Sequence, residues 1–439
     1  MKKTALVYRC SSCGHEEPKW LGRCPGCGEW NTLAESARET RQTGRQSGVS
    51  SFPLSSVNPD EGSRVSGGMG ELDRVLGGGI MNRSTVLLGG EPGIGKSTLL
   101  LQISGLAAIK GRVLYISAEE SAGQVRLRAD RLGLSASLER IEICCTGQLE
   151  DILVLLDAVK PVLIMADSVQ TLHTDMAGPS PGTVNQMKFC SYELISWVKE
   201  RDSALFLAAH VTKDGIISGP KTLEHMVDTV LYFEQAPGGS SEGDYRFLRA
   251  AKNRFGSVDE IGIFTMSEKG LSAIEDPQGV FLVRREGGLP AGIAIAAVVE
   301  GSRALLVEIQ ALTVPAKGSI SRVFSLSIET GRVSRVAAAL EKHLGLRLSD
   351  QDIYINVSGG MRIGEVGVEL AVAAAIYSSR TGIALAPGTA IAGELSLAGE
   401  VLPVRRLANR SKAAESLGFT LFTQKDLKPA IAALFGKVT

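Results

Sequence analysis

The hydrophobic rhythm of the chain changes at recognisable places. Residues 8–33 hold no apolar run long enough for a helix and are punctuated by cysteines and glycines. Residues 34–58 are polar, rich in Ser, Arg and Gln, and without period, which predicts a flexible linker. From about 59 to 270, short apolar runs at 84–89, 113–117, 161–168 and 204–209 alternate with longer helical patterns. That alternation predicts a mostly parallel α/β sheet. A short helix between glycine turns is expected at 67–79, and a hairpin from 228–233 and 245–251. From 271 to 439 the chain becomes rich in Ala, Val, Ile and Gly. Strands at 304–310 and 353–357 and a helix at 370–376 predict a second α/β or α+β domain.

Composition narrows the function. A chain of 439 residues holds two or three domains, and 44% hydrophobic residues supply full cores. The 47 basic residues balance 47 acidic ones, so a nucleic-acid partner must be gripped by local basic loops rather than by global charge. Aromatics at 5% argue against a broad base-stacking surface. No run approaches the roughly 18 apolar residues of a membrane helix. The stretch Ala5-Leu6-Val7-Tyr8 after Met1-Lys2-Lys3 is too short for a signal peptide core. A cytoplasmic protein is expected, with its seven cysteines in metal or core roles.

Four of those cysteines are paired. Cys10-x2-Cys13 and Cys24-x2-Cys27 form two knuckles, each followed by a glycine that permits a tight turn. Two knuckles supply the four thiolates that Zn²⁺ takes in closed, structural sites. The alternative, a pair of disulfides or free thiols, is disfavoured in a reducing compartment. His15 reads as a surface residue.

The strongest motif is Gly90-Glu91-Pro92-Gly93-Ile94-Gly95-Lys96-Ser97, followed by Thr98, which fits G-x-x-x-x-G-K-[ST]. An apolar strand precedes it and a helical pattern follows, the context this phosphate cradle requires. Its glycines let backbone N–H groups converge on phosphate oxygens at the helix start. Lys96 reaches the β- and γ-phosphates of ATP and Ser97 ligates Mg²⁺. The alternative is a glycine-rich turn with an incidental lysine.

Other strand ends carry matching chemistry. The strand 113–117 runs into Glu119 and Glu120, where one carboxylate suits water activation and the other charges the next helix's first turn. Arg126, Arg128 and Arg131 on that helix read as a solvated face. The strand 161–168 ends in Asp167, a second Mg²⁺ ligand about seventy residues after the cradle. The strand 204–209 ends in His210, either a sensor of the γ-phosphate or a strand-end histidine without a role. Loops at 174–185 and 211–221 leave the same sheet edge, the second carrying Lys213 and Lys221, and their glycines and prolines predict irregular structure. After the hairpin, Lys252 and Arg254 stand at alternate positions suited to phosphate, including that of a neighbouring subunit, or form a solvated strand end.

Taken in order, PKWLGRCPGCGEWNTL, GEPGIGKST, YISAEES, IMADS, HVTKDG, LEHMVDTVLYFE and KNRFG resemble the bacterial RadA/Sms DNA-repair family over essentially the whole chain. The resemblance implies a C4 zinc-binding module (1–33), the linker (34–58), a RecA-like ATPase domain (59–270) and a Lon-protease-like domain (271–439). It implies an ATP-dependent motor of homologous recombination. Such a motor works as a homo-hexamer on single-stranded and branched DNA beside a RecA-type recombinase. By the same resemblance Glu119 activates water and His210 senses the nucleotide. Lys252 and Arg254 act on a neighbour's nucleotide or on DNA, and the two loops face DNA.

Lon-type proteases use a Ser–Lys dyad. In the matching stretch, Gly364 to Leu370, Gly367 stands where the serine would be, and Val366 replaces the family's usual proline. The stretch Gly393 to Val404 keeps the G-E-x-x-L-x-G-x-V-L-P-V pattern, yet the lysine position falls at about Ala408. Without nucleophile or base there is no acyl-enzyme route, so this domain is expected to serve assembly and DNA contact. A zinc-containing ATP-dependent peptidase and a RecA-like switch ATPase without DNA are the competing readings.

Overall fold

The computed structural model describes residues 6–37, 53–56, 64–178, 180–210, 221–235, 244–274, 277–283, 285–318 and 321–436. Most of the linker expected at 34–58, and the loop segment 211–220 with Lys213, lie outside the described residues. Two compact units emerge. The first comprises Met1–Glu234, Leu248–Val258 and Glu268–Leu271; the second comprises Gln235–Phe247, Asp259–Ser267 and Ser272–Thr439.

The first unit begins with a three-stranded antiparallel sheet, β1 (Leu6–Cys10), β2 (Glu16–Glu17) and β3 (Leu33–Ala37), with β1 in the centre. Its apolar core is little more than Cys10, Cys24 and Leu33, too small to hold a fold unaided. The first knuckle shares a cleft with a later turn: Arg9, Cys10, Ser11 and Gly14 line it together with Asp175 and Met176.

A short ribbon, β4 (Arg64–Val65) against β5 (Ile80–Met81), brackets helix α1 (Gly70–Val75). The central sheet follows. Strand β6 (Thr85–Gly90) leads into α2 (Lys96–Ala107), then β7 (Val113–Ser117), α3 (Ala122–Arg131), β8 (Ile141–Cys144) and α4 (Leu149–Val159). Next come β9 (Leu163–Asp167), α5 (Val184–Lys199), β10 (Ala204–His210), α6 (Lys221–Met226) and β11 (Thr229–Gln235). Across the sheet the order is β11-β6-β10-β9-β7-β8, with these pairings parallel. Every residue of β6 and β7 is buried, which is why these strands read as unbroken apolar runs rather than as alternating ones. The chain passes from β6 over two strands to β7, so the strand order reverses beside β6. Ligands of open α/β sheets bind at such a switch point, beyond the strands' carboxyl ends.

The loop expected at 174–185 is not wholly irregular. Thr174 caps a 3-10 turn at Asp175–Ala177, and Thr183 caps α5 through Gln186 N. Hydroxyls at helix starts satisfy orphan N–H groups and impose local order that the glycines and prolines hide.

Strand β12 (Tyr245–Asn253) contributes residues to both units, as does the short strand β14 (Gly270–Ala273), whereas β13 (Ile261–Ser267) belongs to the second. The rest of the second unit starts with the antiparallel pair β15 (Ile293–Glu300) and β16 (Arg303–Pro315). Then come β17 (Val323–Ser325), helix α7 (Thr330–Leu344), β18 (Gln351–Val357) and helix α8 (Glu369–Thr381). The mixed sheet is completed by β19 (Thr389–Ile391) and, last in the chain, by a strand at Thr420–Phe422. Helix α8 is buried from Glu369 to Ser378; its small alanines let it sit inside the unit with no solvent face. This is an α/β domain, as the Lon-protease-like expectation requires.

Candidate active site

Strand register assembles the site. His210 pairs with Gly90 across β10 and β6, and Ser117 pairs with Asp167 across β7 and β9. The carboxyl ends of four neighbouring strands therefore deliver the phosphate cradle, His210, Asp167 and the turn holding Glu119 to one edge.

The cradle needs its glycines. A side chain on Gly90 would meet Phe233 O at 2.7 Å, and Gly93 and Gly95 adopt φ of +78° and +112°, values that L side chains rarely take. Gly95 caps α2, so Lys96, Ser97 and Thr98 form its first turn. The N–H groups of a first turn have no partner within the helix and present the positive end of its dipole.

Lys96 is buried. Its Nζ donates to Gly90 O (2.7 Å) and Glu91 O (2.9 Å) and lies 3.3 Å from His210 Nδ1. Burial pulls its pKa below the ordinary value, opposed by the Asp167 and Glu119 carboxylates. The other ring nitrogen, His210 Nε2, is 3.4 Å from Glu119 Oε1, and Ser168 Oγ donates to that same oxygen. One chain of contacts thus joins Lys96, His210, Glu119 and Ser168. Asp167 lies beside it, and its Oδ2 accepts a hydrogen bond from Tyr115 OH at 2.8 Å.

Glu120 points elsewhere. It takes a bidentate pair from Arg128 at 2.5 and 2.6 Å. Arg128 is therefore not part of a solvated face, because helix α3 returns it eight residues later onto the carboxylate at the strand end. Arg126 pairs with Asp130 on the outside of α3, and Arg131 is exposed. With Glu120 occupied, Glu119 is the carboxylate open to the site. Sequence reading missed Tyr115, Ser168 and the Arg128 clamp. Only Tyr115 left a trace, as the one phenol in a run of aliphatic residues.

Lys252 and Arg254 stand at the opposite edge. Arg254 Nη1 reaches Asp228 Oδ1 at 3.1 Å, and Asp228 Oδ2 accepts from Thr85 N at 3.1 Å and Thr85 Oγ1 at 3.0 Å. Thr85 opens β6 and Gly90 ends it, five steps of about 3.3 Å, so the strand end to which Asp228 ties Arg254 lies about 17 Å from the phosphate cradle. Lys252 Nζ donates to Glu224 O (2.8 Å), His225 O (3.3 Å) and Val227 O (2.8 Å), closing the end of α6. The following residues are held by Arg64, which donates to Phe255 O, and by Asn253, whose Nδ2 donates to Val75 O at 3.1 Å. Lys221 begins α6.

The zinc module repeats one turn. Cys10 N donates to His15 O and Gly14 N to Cys10 O; Cys24 N donates to Glu29 O and Gly28 N to Cys24 O. Gly14 and Gly28 take φ of +74° and +78°. The turns bring Cys10 Sγ to 3.6 Å from Cys27 Sγ and Cys13 Sγ to 3.5 Å from Cys24 Sγ, all four within 4.8 Å. A Zn²⁺ tetrahedron with bonds of about 2.3 Å has edges near 3.8 Å, so the thiol set fits that ion. His15 is half-buried and pairs with Glu17 at 2.9 Å, outside this ligand set.

In the second unit the positions matched to a protease dyad hold Gly367, in a 3-10 turn, and Ala408, on a helix at Leu407–Ser416. A side chain added at Gly367 would come within 2.8 Å of Glu365 Oε1. Glu365 is engaged by the wholly buried guanidinium of Arg410.

Fold and site together define a P-loop ATPase of the RecA/KaiC class that carries a four-cysteine zinc ribbon. A family model described as rubredoxin metal binding domain matches residues 8–35, and one described as KaiC matches residues 65–143. Proteins named DNA repair protein RadA are similar over nearly the whole length. That of Treponema pallidum is 54% identical over 95% of this chain and 91% of its own. Those of Brucella abortus and Bacillus subtilis are each 43% identical, again over 95% of this chain and 91% and 92% of theirs. The chain belongs to the RadA family of DNA repair proteins. Among the described residues, no helix is long and apolar enough to cross a membrane.

Proposed function

We propose that this protein is a DNA-dependent ATPase motor of the cytoplasm that processes branched recombination intermediates and extends heteroduplex on single-stranded DNA. It acts as a homo-hexameric ring beside a RecA-type recombinase. One observation carries the reading: each subunit presents a phosphate cradle at one sheet edge and two cations, Lys252 and Arg254, at the other. That arrangement completes a site only when a second subunit stands against the first.

In this mechanism the cradle residues Gly90 to Thr98 bind the ATP phosphates, and Lys96 neutralises charge on the γ-phosphoryl group. Ser97 and Asp167 offer the hard oxygen donors that suit Mg²⁺, an ion that neutralises phosphate charge when bound. Glu119 accepts the proton of the attacking water. His210, in contact with both Lys96 and Glu119, registers the γ-phosphate and passes that state into the adjoining segment 211–221. Lys213, Lys221 and the loop 174–185 grip DNA. We assign zinc binding to residues 1–33, the ATPase to 59–270, and assembly and DNA contact to 271–439.

The match to the KaiC description favours a second reading, a switch ATPase that binds no DNA. Electrophoretic shift of single-stranded DNA with ADP separates the two. Binding is expected, and it should weaken roughly tenfold between about 50 and about 200 mM salt if two or three phosphates are contacted. Absence of a shift removes the motor reading, and salt-independent binding removes the lysine contacts. Lys252→Ala should lose DNA-stimulated turnover. Uncapping α6 should cost only about 1 kcal/mol, so the fold survives. Normal branch extension by this variant would strip Lys252 of its role.

A further inference from the structure

We propose that Tyr115 is the positioning residue of the Mg²⁺ site, holding the Asp167 carboxylate in one orientation through its buried hydroxyl. The proposal rests on the reading of Asp167 as the Mg²⁺ ligand.

Tyr115 lies in the middle of β7, opposite Met165 of β9, with no exposed surface. Its neighbours Val113, Leu114 and Ile116 are aliphatic and equally buried. Another aliphatic residue would fill the core, whereas a phenol brings a polar atom that costs free energy unless it is paired. The hydroxyl is paired with Asp167 Oδ2 at 2.8 Å. A carboxylate can only accept, so the phenol is the donor of this bond.

Asp167 is the last residue of β9. A carboxylate at a strand end has free torsions, and an ion that demands octahedral geometry at short distance discriminates against a wandering ligand. The Tyr115 hydrogen bond takes one oxygen and leaves the other for the ion. Outer partners of this kind commonly set metal affinity tenfold or more. Arg128 completes the arrangement. Its clamp on Glu120 keeps that second carboxylate off the site, leaving Asp167 and Glu119 as the two acids that act on Lys96.

The test is Tyr115→Phe, which deletes a single oxygen. Affinity for a fluorescent ADP analogue is measured in chelator and across a Mg²⁺ titration, with no turnover in the readout. Mg²⁺-free affinity should stay at the parent value, and the Mg²⁺ concentration giving half-maximal enhancement should rise roughly tenfold. Tyr115→Leu, which fills the core without a hydroxyl, serves as the second variant should Phe fold poorly, and it should shift the midpoint in the same direction. A parental midpoint in a folded variant overturns the proposal. Asp167→Asn separates the two layers. If it moves the midpoint and Tyr115→Phe does not, the positioning role fails alone. If neither moves it, the Mg²⁺ assignment fails as well.

Discussion

Lys96→Ala should reduce ATP turnover by roughly a thousandfold or more, which corresponds to about 4 kcal/mol of transition-state stabilisation. The magnitude follows from where the ammonium sits. It is buried, bonded to two cradle carbonyls, and acted on by Asp167 and Glu119. Without it, the Asp167 and Glu119 carboxylates face a triphosphate with no lysine to offset their charge, and like charges repel. Alanine is a good helix former and should leave α2 in place. Lys96→Arg should be nearly as inactive, because a forked, planar guanidinium does not fit a hole shaped around a point charge and two converging carbonyls. Phosphate release under steady-state and single-turnover conditions reads the effect, with thermal melting as the control for folding. Parental turnover in Lys96→Ala would dismiss the phosphate-cradle assignment.

How far such a site can be read from sequence depends on how far apart its parts lie along the chain. Gly90 to Ser97 was legible because the backbone geometry that binds phosphate lies in eight consecutive residues. The two zinc knuckles were legible for the same reason. Asp167 and His210 were legible by position, since apolar runs ending in a polar residue mark strand ends in a parallel sheet.

The supporting contacts were not legible. Tyr115 meets Asp167 from 52 residues away, a pairing fixed by β7 lying beside β9, which no local pattern announces. Arg128 looked like one of three helix-surface arginines because its partner Glu120 lies before the helix, outside the usual three- and four-residue spacing. The three carbonyls through which Lys252 closes α6 in the folded subunit lie 25 to 28 residues away and left no local sign. Gly367 and Ala408 at the positions matched to a Ser–Lys dyad were read from sequence alone, while the Glu365–Arg410 pair packed beside Gly367 became visible only in the fold.

Removing one zinc ligand should have the second large effect. Cys27→Ser should lower zinc content from one ion per chain to nearly none, and the module should lose its structure. Structural Zn²⁺ supplies roughly 10–16 kcal/mol of apparent binding free energy at neutral pH, and that energy is folding energy. Here almost nothing replaces it, because the module's buried core is confined to Cys10, Cys24 and Leu33, and two of those are themselves ligands. A serine hydroxyl is a poor substitute for thiolate on this ion. The central sheet has its own core, including Leu87, Leu114, Ile116, Ile164 and Leu205, so its melting transition should persist. The damage should instead reach the turn Asp175–Ala177, which shares a cleft with the first knuckle. That turn follows shortly after Asp167, in the loop assigned here to DNA, so DNA-stimulated turnover should fall further than basal turnover. Metal analysis of the purified variant decides the first point: unchanged zinc would refute the four-cysteine site. The ratio of stimulated to basal turnover decides the second, and a parental ratio in the zinc-free protein would show that the loop keeps its DNA grip without the module.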